Sequence, residues 1–328
     1  MGAVFVMLCS VVAMASCQAI FGVDSDQGGS VGSTGSSGAS ATGGATASTA
    51  ESSTASSSSA SSGSGGAGGT GGGCAPPLIG AGGGQSGECH GAEMMQVAFA
   101  DSTAYCIDRT EVTRDKYKQW LDTCPPTIAQ PPECAWNTSF EPKMGEFDCD
   151  ASKHGLDKFP DKPVVCVDWC DARAYCEAIG KRLCGMKGGA ANAFEDYQNP
   201  DLSEWLNACS DHGTNVYPYG NTYDPTKCVG DDYDGVSGDG PLDDAKAVGA
   251  ATDCKAGIYS IFDLSGNVWE WENSCDGNTG PDDICRNRGG SFWDPSDWLT
   301  CNATSPPGHT RQHFNKNIGI RCCSGLNP

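Results

Sequence analysis

Positively charged residues are scarce in this sequence, which has 20 Lys and Arg residues against 41 Asp and Glu residues in 328 positions. The formal net charge of −21 repels phosphate backbones and anionic lipid surfaces, so it argues against a nucleic-acid-binding protein. Histidine is also rare, with five residues and no HExxH motif. His309 and His313 would form a metal-binding face only on a helix, and the Pro306–Gly308 segment before them favours a loop. The sequence therefore gives little support to a catalytic metal site.

No Lys, Arg or aromatic residue occurs in the stretch from Asp24 to Ser86, which is rich in Gly, Ser, Ala and Thr. Such a composition buries too little apolar surface to offset the entropy lost on ordering. We therefore expect residues 18–87 to be a disordered, flexible tether. The folded part is then one domain over residues 88–328, which contains all eight Trp and all nine Tyr.

A long apolar run is missing as well. The run from Val4 to Ala15 is too short to span a bilayer comfortably and has no flanking basic residue. Residues 1–17 resemble a lipoprotein signal peptide, with Cys17 as the lipidated residue. An ordinary signal peptide, with small residues before its cleavage site, is the alternative. Because a tether directly follows Cys17, we expect a secreted protein that is lipid-anchored to the bacterial outer membrane or cell surface.

Cysteine, by contrast, is abundant, with 20 residues. Cys9 and Cys17 belong to the N-terminal segment, so 18 remain, an even number that permits complete pairing. A cytosolic chain seldom carries so many cysteines without clear metal-binding pairs, so they indicate an oxidising compartment. We expect disulfides throughout the domain and no reactive thiol. Cys74 and Cys89 bracket the end of the tether, where a bond between them would close a small loop.

Periodicity predicts few regular elements. The segment from Met94 to Ile107 alternates loosely between apolar and polar residues and is expected to form strands. Helices are expected to begin after the capping residues Thr113 and Asp168, and a third helix is expected over residues 201–209. Gly, Asp, Asn and Pro dominate residues 211–257, which indicates long ordered loops.

Five segments resemble the formylglycine-generating enzyme family, also called sulfatase-modifying factors, in their order and spacing. They are Asp108–Thr113; Pro163–Cys176; Gly180–Leu183 with Ser203–Trp205; Leu264–Trp271; and Arg288–Phe292 with Ile318–Cys322. The resemblance implies an irregular, loop-rich α/β (α+β) fold, crosslinked by disulfides and related to the C-type lectin fold. It also implies that Cys209 pairs with Cys301, and that Cys176 pairs with Cys322 or Cys323.

The resemblance further implies a structural calcium site in the segment 263–270. The four family positions are the carboxylates of Asp263 and Glu270 and the main-chain carbonyls of Gly266 and Val268, and hard oxygen ligands suit Ca²⁺. The alternative is that the two acids are ordinary surface groups beside buried Trp residues. We expect an ion that stabilises the domain and takes no part in chemistry.

Active members of the family oxidise a substrate cysteine to formylglycine with O₂ and a copper(I) ion. Two cysteines within the dozen residues after the Arg288–Ser291 motif hold that ion, and soft thiolates are what Cu(I) prefers. Here the residues from Phe292 to Thr300 include no cysteine, and the next one, Cys301, is the implied partner of Cys209. We therefore predict that this chain does not carry out copper-dependent formylglycine formation.

Three functions remain open. The first is a divergent or non-catalytic binding or assembly module of the cell envelope, whose partner is an unknown protein or glycan. The second is an active enzyme that modifies an exported protein or small molecule with residues that the sequence does not identify. The third is a lectin-like carbohydrate binder, which would follow from the related fold and from aromatic residues such as Trp293 and Trp298.

Overall fold

Short strands, short helices and disulfides organise the domain. The computed structural model describes residues 74–75, 86–89, 93–236, 238, 244–257, 259–304 and 308–327. The expected signal peptide, Cys17 and most of the expected tether lie outside these residues. The helices of the described part are α1 (Arg114–Leu121), α2 (Ala151–His154), α3 (Trp169–Ala178) and α4 (Glu204–Ser210). None of the helices described is long and apolar enough to cross a membrane.

Eight strands form two four-stranded sheets. The strands are β1 (Met94–Ala98), β2 (Ala104–Asp108), β3 (Arg182–Leu183), β4 (Trp269–Cys275), β5 (Ile284–Arg288), β6 (His309–Thr310), β7 (Ile318–Gly319) and β8 (Cys322–Ser324). The first sheet has the order β1-β2-β8-β3 and is antiparallel throughout. The second has the order β6-β5-β4-β7, in which β4 and β7 are parallel. The expected loop-rich α/β architecture is confirmed.

Side-chain caps set the starts of α1 and α3. The Thr113 hydroxyl accepts a hydrogen bond from the Lys116 main-chain N–H at 3.3 Å. The Asp168 carboxylate accepts one from the Asp171 N–H at 3.0 Å, while the Asp171 carboxylate accepts one from the Asp168 N–H at 3.1 Å. This reciprocal pair satisfies two donors that a helix start leaves unpaired. Both helix starts agree with the prediction.

The third helix, α4, begins later than predicted, at Glu204 rather than at residue 201. The Ser203 hydroxyl accepts a hydrogen bond from the Leu206 N–H at 3.2 Å and so caps the helix at that point. Asp201 instead lies in a turn in which its own N–H donates to the Asn199 side chain. The predicted helix therefore starts about one turn too early, because the apolar spacing continues beyond the cap at Ser203.

All 18 cysteines from Cys74 to Cys323 form nine disulfides. They are Cys74–Cys124, Cys89–Cys106, Cys134–Cys170, Cys149–Cys166, Cys176–Cys322, Cys184–Cys323, Cys209–Cys301, Cys228–Cys254 and Cys275–Cys285. The two pairs that the resemblance implied, Cys209–Cys301 and Cys176–Cys322, are among them.

Cys74 and Cys89, which could have closed a small loop, are not bonded to each other, because their two segments pack against different elements. The Ala75 N–H donates to the Asp122 carbonyl oxygen, which holds Cys74 at the end of α1 beside Cys124. The Asn327 N–H donates to the Glu88 carbonyl oxygen, which holds Cys89 against the C-terminal segment. That segment follows β8, the neighbour of β2, and Cys89 bonds to Cys106 in β2.

Three apolar clusters form the core. The first lies between α1, α3 and β4 and includes Tyr117, Trp120 and Trp271. The second packs α4 against β1 and β2, and the third gathers loop residues around the Cys149–Cys166 and Cys228–Cys254 disulfides. The loops predicted for residues 211–257 are present in the described part of that range, where a disulfide supplies the crosslink that they need.

Candidate functional site

Ser291 lies after a glycine turn that no other residue type fits. Strand β5 ends at Arg288, and Gly289 and Gly290 follow with φ values of +95° and +75°. A Cβ on Gly290 would come within 2.6 Å of the Trp298 carbonyl oxygen. The turn therefore needs glycine both for its left-handed backbone and for this close approach. The turn leads into Ser291, which is buried.

The Ser291 hydroxyl has used all of its hydrogen-bonding capacity. It donates to Asp294 Oδ2 at 2.5 Å, and it accepts from Asn317 Nδ2 at 3.2 Å and from the Trp293 N–H at 3.3 Å. A hydroxyl has one proton and two lone pairs, so these three hydrogen bonds fix its orientation. Burial raises the pKa of Asp294 above its ordinary value. Ser291 is also fully buried, so a substrate at the surface does not contact its hydroxyl in this structure.

Two tryptophans border this turn on the surface. Trp293 is 37% exposed and Trp298 is 36% exposed. The Lys316 ammonium lies 3.9 Å from the centre of the Trp293 ring, and the Trp298 ring meets Trp269 edge-to-face at 6.0 Å. Exposed aromatic faces beside a carboxylate and an ammonium suit recognition of a partner that has both apolar and polar groups. We call Trp293, Asp294 and Trp298, which follow the buried Ser291 in the sequence, the Ser291 surface.

No thiol is available at this surface. Cys301, the first cysteine after the turn, is buried and bonded to Cys209 of α4. Every other cysteine from Cys74 to Cys323 is also part of a disulfide. The described residues therefore offer no thiolate to a copper ion beside Ser291.

The acids of the expected calcium segment are buried, so neither is an ordinary surface group. Asp263 is 2% exposed and Glu270 is 1% exposed. Asp263, Gly266 and Asn267 all have positive φ values, which turn the loop tightly against its neighbours. Asp263 Oδ2 accepts a hydrogen bond from the Gly249 N–H at 2.5 Å, and burial raises the pKa of Asp263 to about 6. The loop thus carries a carboxylate that is hard to ionise without a nearby positive charge.

Glu270 already has partners for both of its oxygens. Arg321 Nη2 lies 2.7 Å from Oε1, Arg321 Nε lies 2.9 Å from each oxygen, and Trp205 Nε1 donates to Oε2 at 2.7 Å. In the described ranges no three His, Cys, Asp or Glu side chains are gathered as a metal-binding group. Of the two expected carboxylate ligands, Asp263 is therefore the one that lacks a cationic partner in direct contact.

Glu111 is a member of this site that the sequence analysis missed. It lies between β2 and α1, is 1% exposed, and accepts a hydrogen bond from Asn267 Nδ2 at 2.8 Å through Oε1. Burial, with the nearby Asp263 charge second, raises the pKa of Glu111 well above its ordinary value. Glu111 belongs to the motif Asp108–Thr113, which resembles the family. A charged residue between a predicted strand and a predicted helix is usually exposed, so the sequence does not indicate that Glu111 is buried.

His309 and His313 are brought together, although not on a helix. His309 begins β6 and His313 lies in the turn after it, with their rings stacked at 4.3 Å between centres. Burial, together with the neighbouring His313, lowers the pKa of His309 to about 4. His309 Nδ1 lies 3.1 Å from the Asn287 amide, and burial lowers the pKa of His313 as well, so the two half-buried rings are a neutral pair at neutral pH.

Comparison of the sequence and the structure with known proteins identifies relatives of this chain. A family model described as "Sulfatase-modifying factor enzyme 1-like domain" matches residues 79–326. "Inactive C-alpha-formylglycine-generating enzyme 2" of Bos taurus is 33% identical over 176 residues, which are 50% of this chain and 50% of that protein. "Formylglycine-generating enzyme" of Bos taurus is 30% identical over 128 residues, or 34% of this chain and 27% of that protein.

The chain spans about half the length of the first of these relatives. Among solved structures, PvdO from Pseudomonas aeruginosa has a TM-score of 0.47 at 17% identity and covers 70% of this chain and 83% of its own.

Proposed function

We propose that this chain, which belongs to the family of sulfatase-modifying factor enzyme 1-like domains, is a non-catalytic member of that family. It would bind a partner at the cell envelope. In this proposal the protein is exported, anchored through a lipid on Cys17, and held away from the membrane by the tether. The Ser291 surface is the binding face.

The observation that carries the proposal is the complete pairing of the cysteines. Copper-dependent oxidation of a cysteine needs two soft thiolates at the metal, and the described residues supply none near Ser291. The Ser291 hydroxyl is buried and held by three hydrogen bonds, which argues against its use as a substitute nucleophile at the surface. A relative at 33% identity is itself named as an inactive formylglycine-generating enzyme, which supports the same interpretation here.

The test of this proposal is an assay on the folded, oxidised full-length protein. We expect no conversion of the cysteine in a sulfatase-type peptide under O₂ with added copper(I), as followed by peptide mass. We also expect no copper(I) to remain with the protein after gel filtration. Conversion above the rate without protein would establish the alternative, an active enzyme of this family with unidentified residues.

A lectin-like function is the second candidate, and the exposure of Trp293 and Trp298 favours it. Aromatic faces stack on sugar rings, and a neighbouring carboxylate such as Asp294 can accept hydrogen bonds from sugar hydroxyls. The distinction between a protein partner and a glycan partner is made by binding assays with purified envelope glycans and with envelope proteins. Trp298→Ala should weaken whichever interaction is real.

Ile128→Ala is the matched control for Trp298→Ala, because Ile128 is 95% exposed and lies in a different segment. Both variants remove an exposed apolar side chain, so a general loss of surface hydrophobicity would affect them alike. Equal binding by wild type, Trp298→Ala and Ile128→Ala would show that the Ser291 surface is not the binding face.

Calcium is the second part of the proposal. The expected ligands are the carboxylates of Asp263 and Glu270 and the carbonyl oxygens of Gly266 and Val268. The residues fit a divalent cation in one respect. The acids Asp263, Glu270 and Glu111 are all buried, and Arg321 is the buried cation that contacts Glu270. Glu270 fits less well, since Arg321 and Trp205 contact both of its oxygens. The ion would connect the loop to the core through Trp269 and Trp271, which are both buried.

Export is supported by the disulfides, because nine of them persist only in an oxidising compartment. The anchor is tested with Cys17→Ser, which removes the acceptor of the lipid. We expect the wild-type protein in the membrane fraction and the variant in the soluble exported fraction. If both fractionate with the soluble proteins, the N-terminal segment is an ordinary signal peptide.

A further inference from the structure

A cavity of about 420 Å³ is bordered by α3, β3 and the end of β4. Its volume is within the range of sites that hold small molecules in proteins. Trp293, Asp294 and Trp298 do not line it, so it is distinct from the Ser291 surface. Cys275 lines it and is half-buried, so one sulfur of the Cys275–Cys285 disulfide borders the cavity.

The cavity contains charges of both signs. Three guanidiniums and two carboxylates line it, those of Arg173, Arg182, Arg311, Glu133 and Glu177. Outside the lining, Glu204 pairs with Arg182 and Asp283 pairs with Arg311. Three positive and four negative charges leave −1, so the cavity is close to neutral in a chain of net charge −21. Such a site favours a ligand that carries one charge of each sign over a strong anion or a strong cation.

Arg173 lies between the two carboxylates of the lining. Its Nη1 donates to Glu133 Oε1 and its Nε donates to Glu177 Oε1, both at 2.7 Å. Among the described residues, Arg173 Nη2, Arg182 Nε and the Oε2 atom of each of these glutamates have no hydrogen-bond partner. The side chains of Arg173 and Arg182 are 28% and 21% exposed. Donors and acceptors are therefore accessible side by side.

We propose that this cavity binds a free amino acid as its zwitterion. The ligand carboxylate accepts hydrogen bonds from the guanidiniums of Arg173 and Arg182, which match a carboxylate in shape and charge. The ligand ammonium donates to Glu133 and Glu177. An α-amino acid carries its ammonium and carboxylate on one carbon atom, so its two charges are as close together as the donors and acceptors of the site.

The rest of the lining indicates the side chain of this amino acid. Trp169, Leu183 and Ala191 contribute apolar atoms to the wall of the cavity. An aliphatic side chain removes this apolar surface from water, so leucine is the probe that suits the site. The inference goes beyond the proposed function, because the two concern different surfaces.

The experiment is calorimetric titration of the folded, oxidised full-length protein at neutral pH. The probes are L-leucine, N-acetyl-L-leucine, which lacks the ammonium, and L-leucinamide, which lacks the carboxylate. L-Leucine should bind, and each derivative should bind about tenfold more weakly or less, because it loses charge-assisted hydrogen bonds. Equal binding of all three would overturn the proposal, since the site would then recognise neither charge.

Two variants test the named residues. Arg173→Gln should weaken L-leucine binding by about tenfold or more, as should Glu177→Gln. Lys118→Gln is the matched control, because Lys118 pairs with Asp122 four positions later on α1, as Arg173 pairs with Glu177 on α3. It should bind L-leucine as wild type does. Unchanged binding in both Arg173→Gln and Glu177→Gln would contradict the proposal.

The position of the ligand is tested on the wild-type protein through its disulfides. Dithiothreitol reduces a disulfide by attack on an accessible sulfur, so L-leucine in the cavity should slow reduction of Cys275–Cys285 severalfold. Cys74 and Cys124 are both exposed and line a different region, so their bond is the internal control and should react at the same rate with and without L-leucine. Alkylation at timed intervals and peptide mapping give both rates.

An absence of any L-leucine binding would overturn the proposal. So would binding without protection of Cys275–Cys285, or with equal protection of Cys74–Cys124, because the ligand would then lie elsewhere. None of these results would alter the proposed non-catalytic function, which is tested separately at the Ser291 surface.

Discussion

The guanidinium of Arg321 and the carboxylate of Glu270 form a fully enclosed ion pair, with Nη2 2.7 Å from Oε1 and Nε 2.9 Å from each carboxylate oxygen. Arg321 Nη1 also donates to the Asp108 carbonyl oxygen at 2.8 Å, and Nη2 donates to the Phe262 carbonyl oxygen at 2.7 Å. One side chain thus connects β4, the end of β2 and the loop before Asp263.

Arg321→Met should destabilise the domain by about 3–5 kcal/mol, because it leaves a cluster of buried acids with no cation beside them. Urea unfolding of the two proteins at one calcium concentration measures the difference. The double variant Glu270→Met/Arg321→Met should recover part of the loss, since a buried ion pair replaced by apolar side chains of similar size is often neutral. A single variant within about 1 kcal/mol of wild type would contradict this account.

Alkylation of the folded, unreduced protein should modify none of the 18 cysteines from Cys74 to Cys323. All of them are in disulfides, and disulfide sulfurs do not react with alkylating reagents. Intact mass before and after treatment gives the count, and denaturation with reductant should then expose all 18. Selective labelling of Cys301 in the folded protein would show that its bond to Cys209 is absent, and would reopen the question of a copper site.

Acidification should destabilise the domain through the His309–His313 pair. The pKa of His309 is lowered from 6.5 to about 4, so the folded state binds fewer protons than the unfolded state between these values. Stability is therefore full above pH 6.5 and decreases as the pH falls toward 4. The full shift is worth about 3 kcal/mol at about 1.4 kcal/mol per pH unit, and partial exposure reduces it to the order of 2 kcal/mol.

His309→Phe keeps a ring against His313 and Trp271 but cannot be protonated. Its free energy of unfolding should therefore change less than that of wild type between pH 7 and pH 4.5, as measured by denaturant titration at both values. Parallel pH profiles of the two proteins would mean that His309 is not responsible for the acid sensitivity.

Deletion of residues 24–73 should leave the melting temperature nearly unchanged. A stretch of this composition adds length between the anchor and the domain and buries little apolar surface, so its removal should not change the core. The deletion must stop before Cys74, because that residue bonds to Cys124. A second deletion that also removes Cys74 is the matched comparison and should cost about 2–4 kcal/mol through loss of the disulfide. A fall of many degrees in the first deletion would show that the tether contributes to the fold.

The features that sequence could predict here are local ones. The cap at Asp168 and its partner Asp171 are three residues apart, so their pattern is visible in a short window. The buried Glu111 accepts a hydrogen bond from Asn267, which is 156 positions away, and no local pattern predicts that contact. The same reason explains why the loop that Cys74 and Cys89 could have closed does not form. Proximity along the chain suggested a bond, whereas packing against α1 and β2 decided the true partners.

The nine disulfides also divide the chain into three covalent blocks connected in series. No bond crosses from the Cys74–Cys124 block to the Cys134–Cys170 block, or from that block to the one closed by Cys176–Cys322 and Cys184–Cys323. A protease cut beside exposed Val236 lies inside the third block, so both cut ends remain covalently attached. Ile128 lies between the first two blocks and is almost fully exposed. A single protease cut there would leave the first block held to the other two by packing alone.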